Sequence, residues 1–93
     1  MKADALHFNE NFFFKRRFEG EWMIADLKSG DYFTLEGAAS VIFDSALEGK
    51  ATDEIAAEVS RQFPREPAKA VQNDVHEFLN ELVRKNILIN AVA

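Results

Sequence analysis

The chain has 93 residues, no cysteine and a formal net charge of −5, with 16 acidic against 11 basic side chains. That length holds one small domain, and a hydrophobic fraction of 47% supplies it with a core, which argues against wholesale disorder. The lack of cysteine excludes disulfide staples and thiolate chemistry. The acidic balance disfavours a phosphate-binding surface, and no apolar run approaches the ~18 residues of a membrane span.

Met1 to His7 lacks the apolar core of a secretion signal, so a cytoplasmic protein is expected. Residues 1–10 have no clean period and read as a loose lead-in. Residues 11–18 alternate as a strand, with Phe12, Phe14 and Phe18 on one face and Phe13, Lys15 and Arg17 on the other. Glu19-Gly20 makes a turn into a second strand over 21–27, which places Trp22 and Ile24 together. Lys28-Ser29-Gly30 suits a three-residue hairpin loop with glycine in a left-handed position. A third strand over 31–35 puts Tyr32 and Thr34 on one side and Phe33 and Leu35 on the other.

Helical spacing then takes over. Ala38, Ala39, Val41, Ile42, Ala46 and Leu47 predict a helix over 37–48 that ends at Gly49. Thr52 suits an N-cap, with Asp53 and Glu54 in the first turn, and Ile55, Val59 and Phe63 carry a second helix to Pro64. Pro67 suits the first turn of a third helix. Its stripe is Val71, Val75, Phe78 and Leu82, flanked by Leu79 and Val83, and it runs to about Asn86. Ile87-Leu88-Ile89 is a terminal apolar run that fits a short strand or a packed tail. The expected fold is α+β: a three-stranded antiparallel meander followed by three helices, in one domain over 1–93 with its core at about 11–90. Such a meander has two open edges, each a row of unpaired backbone donors and acceptors.

Motifs for chemistry are lacking. His7 and His76 stand in no two-ligand spacing, so no metal or other cofactor is expected. Asp26, Asp31, Glu36 and Asp44 are explained by solvation and turn chemistry rather than by a catalytic pair. Ser29, Ser40, Ser45 and Ser60 have no partner at a recognisable spacing, and the four glycines follow turns and caps rather than a phosphate loop. Lys15-Arg16-Arg17 reads either as a charged edge strand that resists aggregation or as a contact for an acidic partner. Tyr32 and Thr34 stand out. If Phe33 and Leu35 enter the core, these two face outward at a sheet edge, where an exposed aromatic serves peptide docking; the same pattern also fits an ordinary half-buried surface tyrosine.

The ordered combination of Gly30, Tyr32, Phe33 and Leu35, then Ala38, Ala39 and Ile42, then Leu47-Glu48-Gly49, Thr52, Glu54-Ile55-Ala56, Asp74-Val75, Phe78-Leu79, Leu82 and Ile87-Leu88 resembles the PqqD-like family, also called the RiPP recognition element. The resemblance covers about residues 11–90. It departs at Leu35-Glu36, where the family often has Leu-Asn entering the first helix. Members are small peptide-binding domains of ribosomal peptide maturation with a winged helix-turn-helix-like architecture. The resemblance implies that a precursor's leader peptide adds as a strand to the edge of the third strand, with side chains entering a groove against the third helix. Carried onto this sequence, the implied peptide-binding residues are Asp31, Tyr32, Phe33 and Thr34, with Val71, Asp74, Val75, Phe78 and Leu79.

The expected function is therefore non-enzymatic. The chain would bind a precursor leader peptide and present it to a modifying enzyme or leader peptidase in a pathway of lasso-peptide or pyrroloquinoline-quinone type, as a monomer or weak dimer. The alternative is a winged-helix DNA-binding regulator. It is disfavoured because residues 67–86 carry only Lys69, Arg84 and Lys85 as basic side chains.

Overall fold

A computed structural model describes residues 6–90. The order is β1 (Leu6–Phe8), β2 (Phe13–Phe18), β3 (Glu21–Asp26), β4 (Tyr32–Leu35), α1 (Ala38–Leu47), α2 (Thr52–Gln62), α3 (Ala68–Arg84) and β5 (Leu88–Asn90). β2, β3 and β4 form the expected antiparallel meander with β3 in the centre, and the three helices follow it. Two short strands add to this plan. β1 pairs antiparallel with β5, Leu6 opposite Asn90 and Phe8 opposite Leu88. The expected lead-in is thus structured from Leu6 onward; residues 1–5 lie outside the described part. Of the two readings of the terminal apolar run, the strand is the one adopted.

Local chemistry explains the ends of the elements. In the β3–β4 hairpin the Asp26 amide donates to the Asp31 carbonyl and the Gly30 amide to the Asp26 carbonyl. The Asp26 carboxylate also accepts from the Lys28 amide at 2.8 Å and the Ser29 amide at 3.2 Å. The loop enclosed by the Asp26–Asp31 pair is therefore 27–30, one residue longer than three, because Leu27 leaves β3 and the side-chain cap stabilises a wider turn. Gly30 does take the left-handed conformation, φ 81°. At the end of α1, Gly49 (φ 82°) sends its amide to the Ala46 carbonyl and Lys50 its amide to the Ser45 carbonyl, which is a Schellman closure. Asn86 (φ 65°) ends α3 in the same way: its own amide bonds the Val83 carbonyl and the Ile87 amide the Leu82 carbonyl.

Two starts differ from expectation. α1 opens after Gly37 (φ 60°, ψ −133°) with no side-chain cap. Thr52 is the first residue of α2 rather than its cap, because Ala51 takes the capping position and its amide donates to Glu54 Oε1 at 2.9 Å. A carboxylate three residues on thus replaces the missing cap acceptor by binding the flanking amide.

The core lies between the inner face of the meander and the helices. Ile24, Phe43, Ile55, Val75, Leu79, Leu82, Ile87 and Leu88 are its fully enclosed side chains. Phe43 is its hub. Its ring meets Trp22 edge-on at 5.2 Å between centroids and Phe8 at 6.2 Å, so α1, β3 and β1 converge on one aromatic cluster. The neighbouring Asp44 accepts the Trp22 indole N–H at 2.8 Å and pairs with Arg17.

β2 distributes its residues in an unusual way. Phe12, Phe14 and Phe18 face outward and are exposed, whereas Lys15 and Arg17 lie on the inner side. Lys15 Nζ sits 4.9 Å from the Phe8 ring centre and 5.8 Å from that of Trp22, and the Arg17 guanidinium 5.7 Å from Trp22. The inner side of this edge strand borders the core rather than entering it. Long cationic chains there cover apolar surface while keeping their charged ends wet. Of the basic triplet, Lys15 and Arg17 thus serve packing, and Arg16 alone points to the outer face.

Two outcomes test this account. Replacing the fully buried Phe43 with alanine (F43A) is expected to cost about 3–5 kcal/mol in urea unfolding, since three elements lose their common contact. Asp44→Ala strands the half-buried Trp22 N–H and is expected to cost about 1–2 kcal/mol, with a shift in Trp22 fluorescence that reports the lost hydrogen bond.

Candidate peptide-binding edge and groove

The open edge of β4 follows from the register. Residues of β3 alternate between their two neighbours: the Leu27 amide beyond its end donates to Phe12, while the Asp26 amide donates to Asp31. Asp26–Asp31 is thus a hydrogen-bonded pair. With Ile24 opposite Phe33 and Trp22 opposite Leu35, those pairs continue the ladder. Tyr32 and Thr34, opposite Ala25 and Met23, fall at the intervening positions. Their amides and carbonyls turn away from β3 toward the open side.

The side chains of these two residues stand on the outer face of the sheet, where Tyr32 is 69% exposed. Phe33 and Leu35 share the inner face with Ile24 and Trp22. Leu35 is buried, but Phe33 keeps 37% of its surface in solvent. The Lys85 ammonium lies 5.6 Å from the centre of the Phe33 ring. The C-terminal end of α3 therefore runs beside the inner side of β4.

That contact orients the helix. Asp74 and Phe78 of α3 and Lys85, the residue just past its end, stand four and seven positions apart and fall on one stripe. Asp74 is exposed, and Phe78 is half-buried against the core. Val71, Val75 and Leu79 are buried and belong to the core. Of the five helix residues singled out from the sequence, Asp74 and Phe78 thus reach the surface, on the stripe that continues to Lys85, and the other three lie beneath it. Asp31 is exposed at the mouth of the hairpin. Lys85, which lies over the Phe33 ring, was not singled out from the sequence. The available signal was its spacing from Phe78, but its place at a helix end gave it a sufficient local reason.

A depression of about 560 Å³ lies between the start of β2, the β3–β4 hairpin and the end of α3, lined among others by Phe12, Asp26, Lys28, Lys85 and Ile89. A second depression, of about 630 Å³, lies between the β2–β3 turn, α1 and α2. Its polar groups satisfy one another. Arg17 meets Asp44, the Ser40 hydroxyl donates to the Gly20 carbonyl at 2.7 Å, and Arg61 and Gln62 both donate to Glu58. The Gln62 amide, followed by Arg61, holds the Glu58 carboxyl below the usual carboxylate range. A general acid or base working near neutral pH needs the opposite shift. Arg84 is engaged by Glu81.

No described helix is long and apolar enough to cross a membrane. The fold has solved counterparts. It matches TbiB1, determined in complex with the TbiA(beta) leader peptide, at a TM-score of 0.72 and 24% identity, over 99% of this chain and 98% of that one. It matches lasso peptide synthetase B1, determined with its leader peptide, at a TM-score of 0.78 and 14% identity, over 91% of this chain and 98% of that one. At these identities the likeness establishes the fold. No curated protein sequence matches the chain. The sequence model of coenzyme PQQ synthesis protein D (PqqD) matches residues 21–88, a span that takes in the central strand, the open edge, all three helices and the start of β5; the chain belongs to the PqqD family.

Proposed function

We propose that this chain binds the leader segment of a ribosomally made precursor peptide as an added strand on β4 and presents it to a maturation enzyme, without catalysing a reaction itself. The observation that carries this reading is the open edge at Tyr32 and Thr34, set beside the half-open Phe33 ring and the Lys85 ammonium over it. Strand addition uses backbone hydrogen bonds for affinity, and alternate side chains for selectivity. A peptide paired with β4 would place one set of side chains beside Tyr32 and Thr34 on the outer face. The other set would fall on the inner side, beside Phe33 and toward Asp74 and Phe78, with Val71, Val75 and Leu79 as the rigid support beneath. Asp31 marks the hairpin end of the edge.

The family assignment and the two structural counterparts, each solved with a leader peptide, support the same reading. The partners would be the precursor and the modifying enzyme or leader peptidase that receives it, with the chain acting as a monomer or weak dimer. The pathway would be of the lasso-peptide or pyrroloquinoline-quinone type.

The edge allows a selective test. Proline at position 34 removes an amide that faces the open side and leaves the β3–β4 ladder intact. Fluorescence anisotropy with the labelled leader of the precursor encoded beside the gene is expected to show at least about tenfold weaker binding to Thr34→Pro, at a nearly unchanged melting temperature. Undiminished binding would rule out addition at this edge. Phe33→Ala, which removes the exposed aromatic of the groove, is expected to weaken the same titration by about tenfold.

A further inference from the structure

We infer that the groove selects its peptide by charge: Lys85, with Lys28 beside it, receives an acidic side chain of the added strand at the hairpin end of β4. This rests on the strand-addition reading and adds to it the chemistry of one peptide position.

Three observations converge. Lys85 is exposed, and its ammonium hangs over the inner, half-open ring of Phe33, on the side that the inward side chains of an added strand would occupy. Neither Lys85 nor Lys28 forms an ion pair with a carboxylate among the described residues, whereas the adjacent Arg84 is engaged by Glu81. Lys85 and Lys28 both line the same depression of about 560 Å³.

The carboxylate already in that depression is committed elsewhere. Asp26 accepts the Lys28 and Ser29 amides and holds the turn. Two cations are thus concentrated at one end of a groove in a protein of net charge −5. A partner that meets them with a carboxylate gains a charge-assisted hydrogen bond in a partly enclosed site. The apolar part of the lining is Phe12 and Ile89, alongside Asn9, Asn11 and Asn86, and the Phe33 ring adjoins it through Lys85. It favours a peptide in which the acidic residue lies next to an apolar one.

Lys85 is therefore a specificity residue, and the cation–π contact with Phe33 parks its ammonium at the groove until a carboxylate arrives. Its position just past the last turn of α3, with the side chain in solvent, makes it replaceable without loss of the fold.

The test is a selection from a random peptide display library against the wild-type chain and Lys85→Glu, with Lys28→Glu as a second variant. Peptides enriched on the wild type are expected to carry Asp or Glu at one fixed position and to shift the Tyr32 and Thr34 amide resonances. On Lys85→Glu the same position is expected to change to Lys or Arg. A wild-type-selected peptide is expected to bind Lys85→Glu about three- to tenfold more weakly, and Lys28→Glu more weakly by a smaller factor, with losses that shrink at high salt. Peptides that move the Tyr32 and Thr34 resonances but show no acidic preference, or the same preference on both proteins, overturn the charge selection and leave strand addition standing. Enriched peptides that leave those resonances unmoved overturn both readings, as does a selection that enriches nothing.

Discussion

The architecture hangs on the seating of α1 against the middle strand of the sheet. Phe43 is wholly enclosed between Trp22 and Phe8, and the next residue, Asp44, fixes the indole of Trp22 and the guanidinium of Arg17. Two adjacent helix residues thus hold β3, β1 and the inner side of β2 by packing and by polar contact together. A hydrophobic contact alone is non-directional, and the hydrogen bond to the indole supplies the orientation that it lacks. With α1 held over the centre of the sheet, the C-terminal end of α3 lies beside the inner side of β4.

That placement makes the open edge tolerable and useful at once. An unprotected edge strand invites pairing with other chains. Here it has four residues, and Asp31 and Glu36 flank it with charge. The edge is therefore too short and too acidic at its ends for indiscriminate pairing. Under the proposed strand addition, a single extended peptide would still meet the two unpaired residues Tyr32 and Thr34. The register of β3 decides which residues these are, and Phe43 and Asp44 hold β3 in place.

Much of this was legible beforehand. Alternation in 31–35 separated Tyr32 and Thr34 from Phe33 and Leu35, because a strand has a strict period of two and one buried neighbour assigns both faces. The α3 stripe was legible as a whole but not in its division. Val71, Val75 and Leu79 turned into the core, and Asp74 and Phe78 remained at the surface. A wide apolar stripe on a helix is consistent with several rotations about its axis. The packing of α2 and the end of α3 beside Phe33 select one of them. Lys85 was hidden for a related reason: a basic residue at a helix end already has a local explanation.

The sequence by itself determined the order of the meander and helices, the hairpin at Gly30, the stops at Gly49 and Pro64, and the alternation of faces along β4. Each of these is a local preference of backbone or side chain. Only the tertiary structure decided that Leu6–Phe8 pairs with Leu88–Asn90, and that Asn9 reaches across 77 positions to bond the carbonyl of Asn86. Three-residue strands are too short to show a period, and their pairing depends on α3 delivering Ile87 and Leu88 to the core. It also decided the face of β2. Alternation grouped Phe12, Phe14 and Phe18 on one face without saying which face is buried, and they point to solvent while Lys15 and Arg17 lie inward. The chain must seat the Phe43 cluster against a strand at the margin of the sheet, and there aliphatic stems with charged ends fit the boundary between core and water better than rings do.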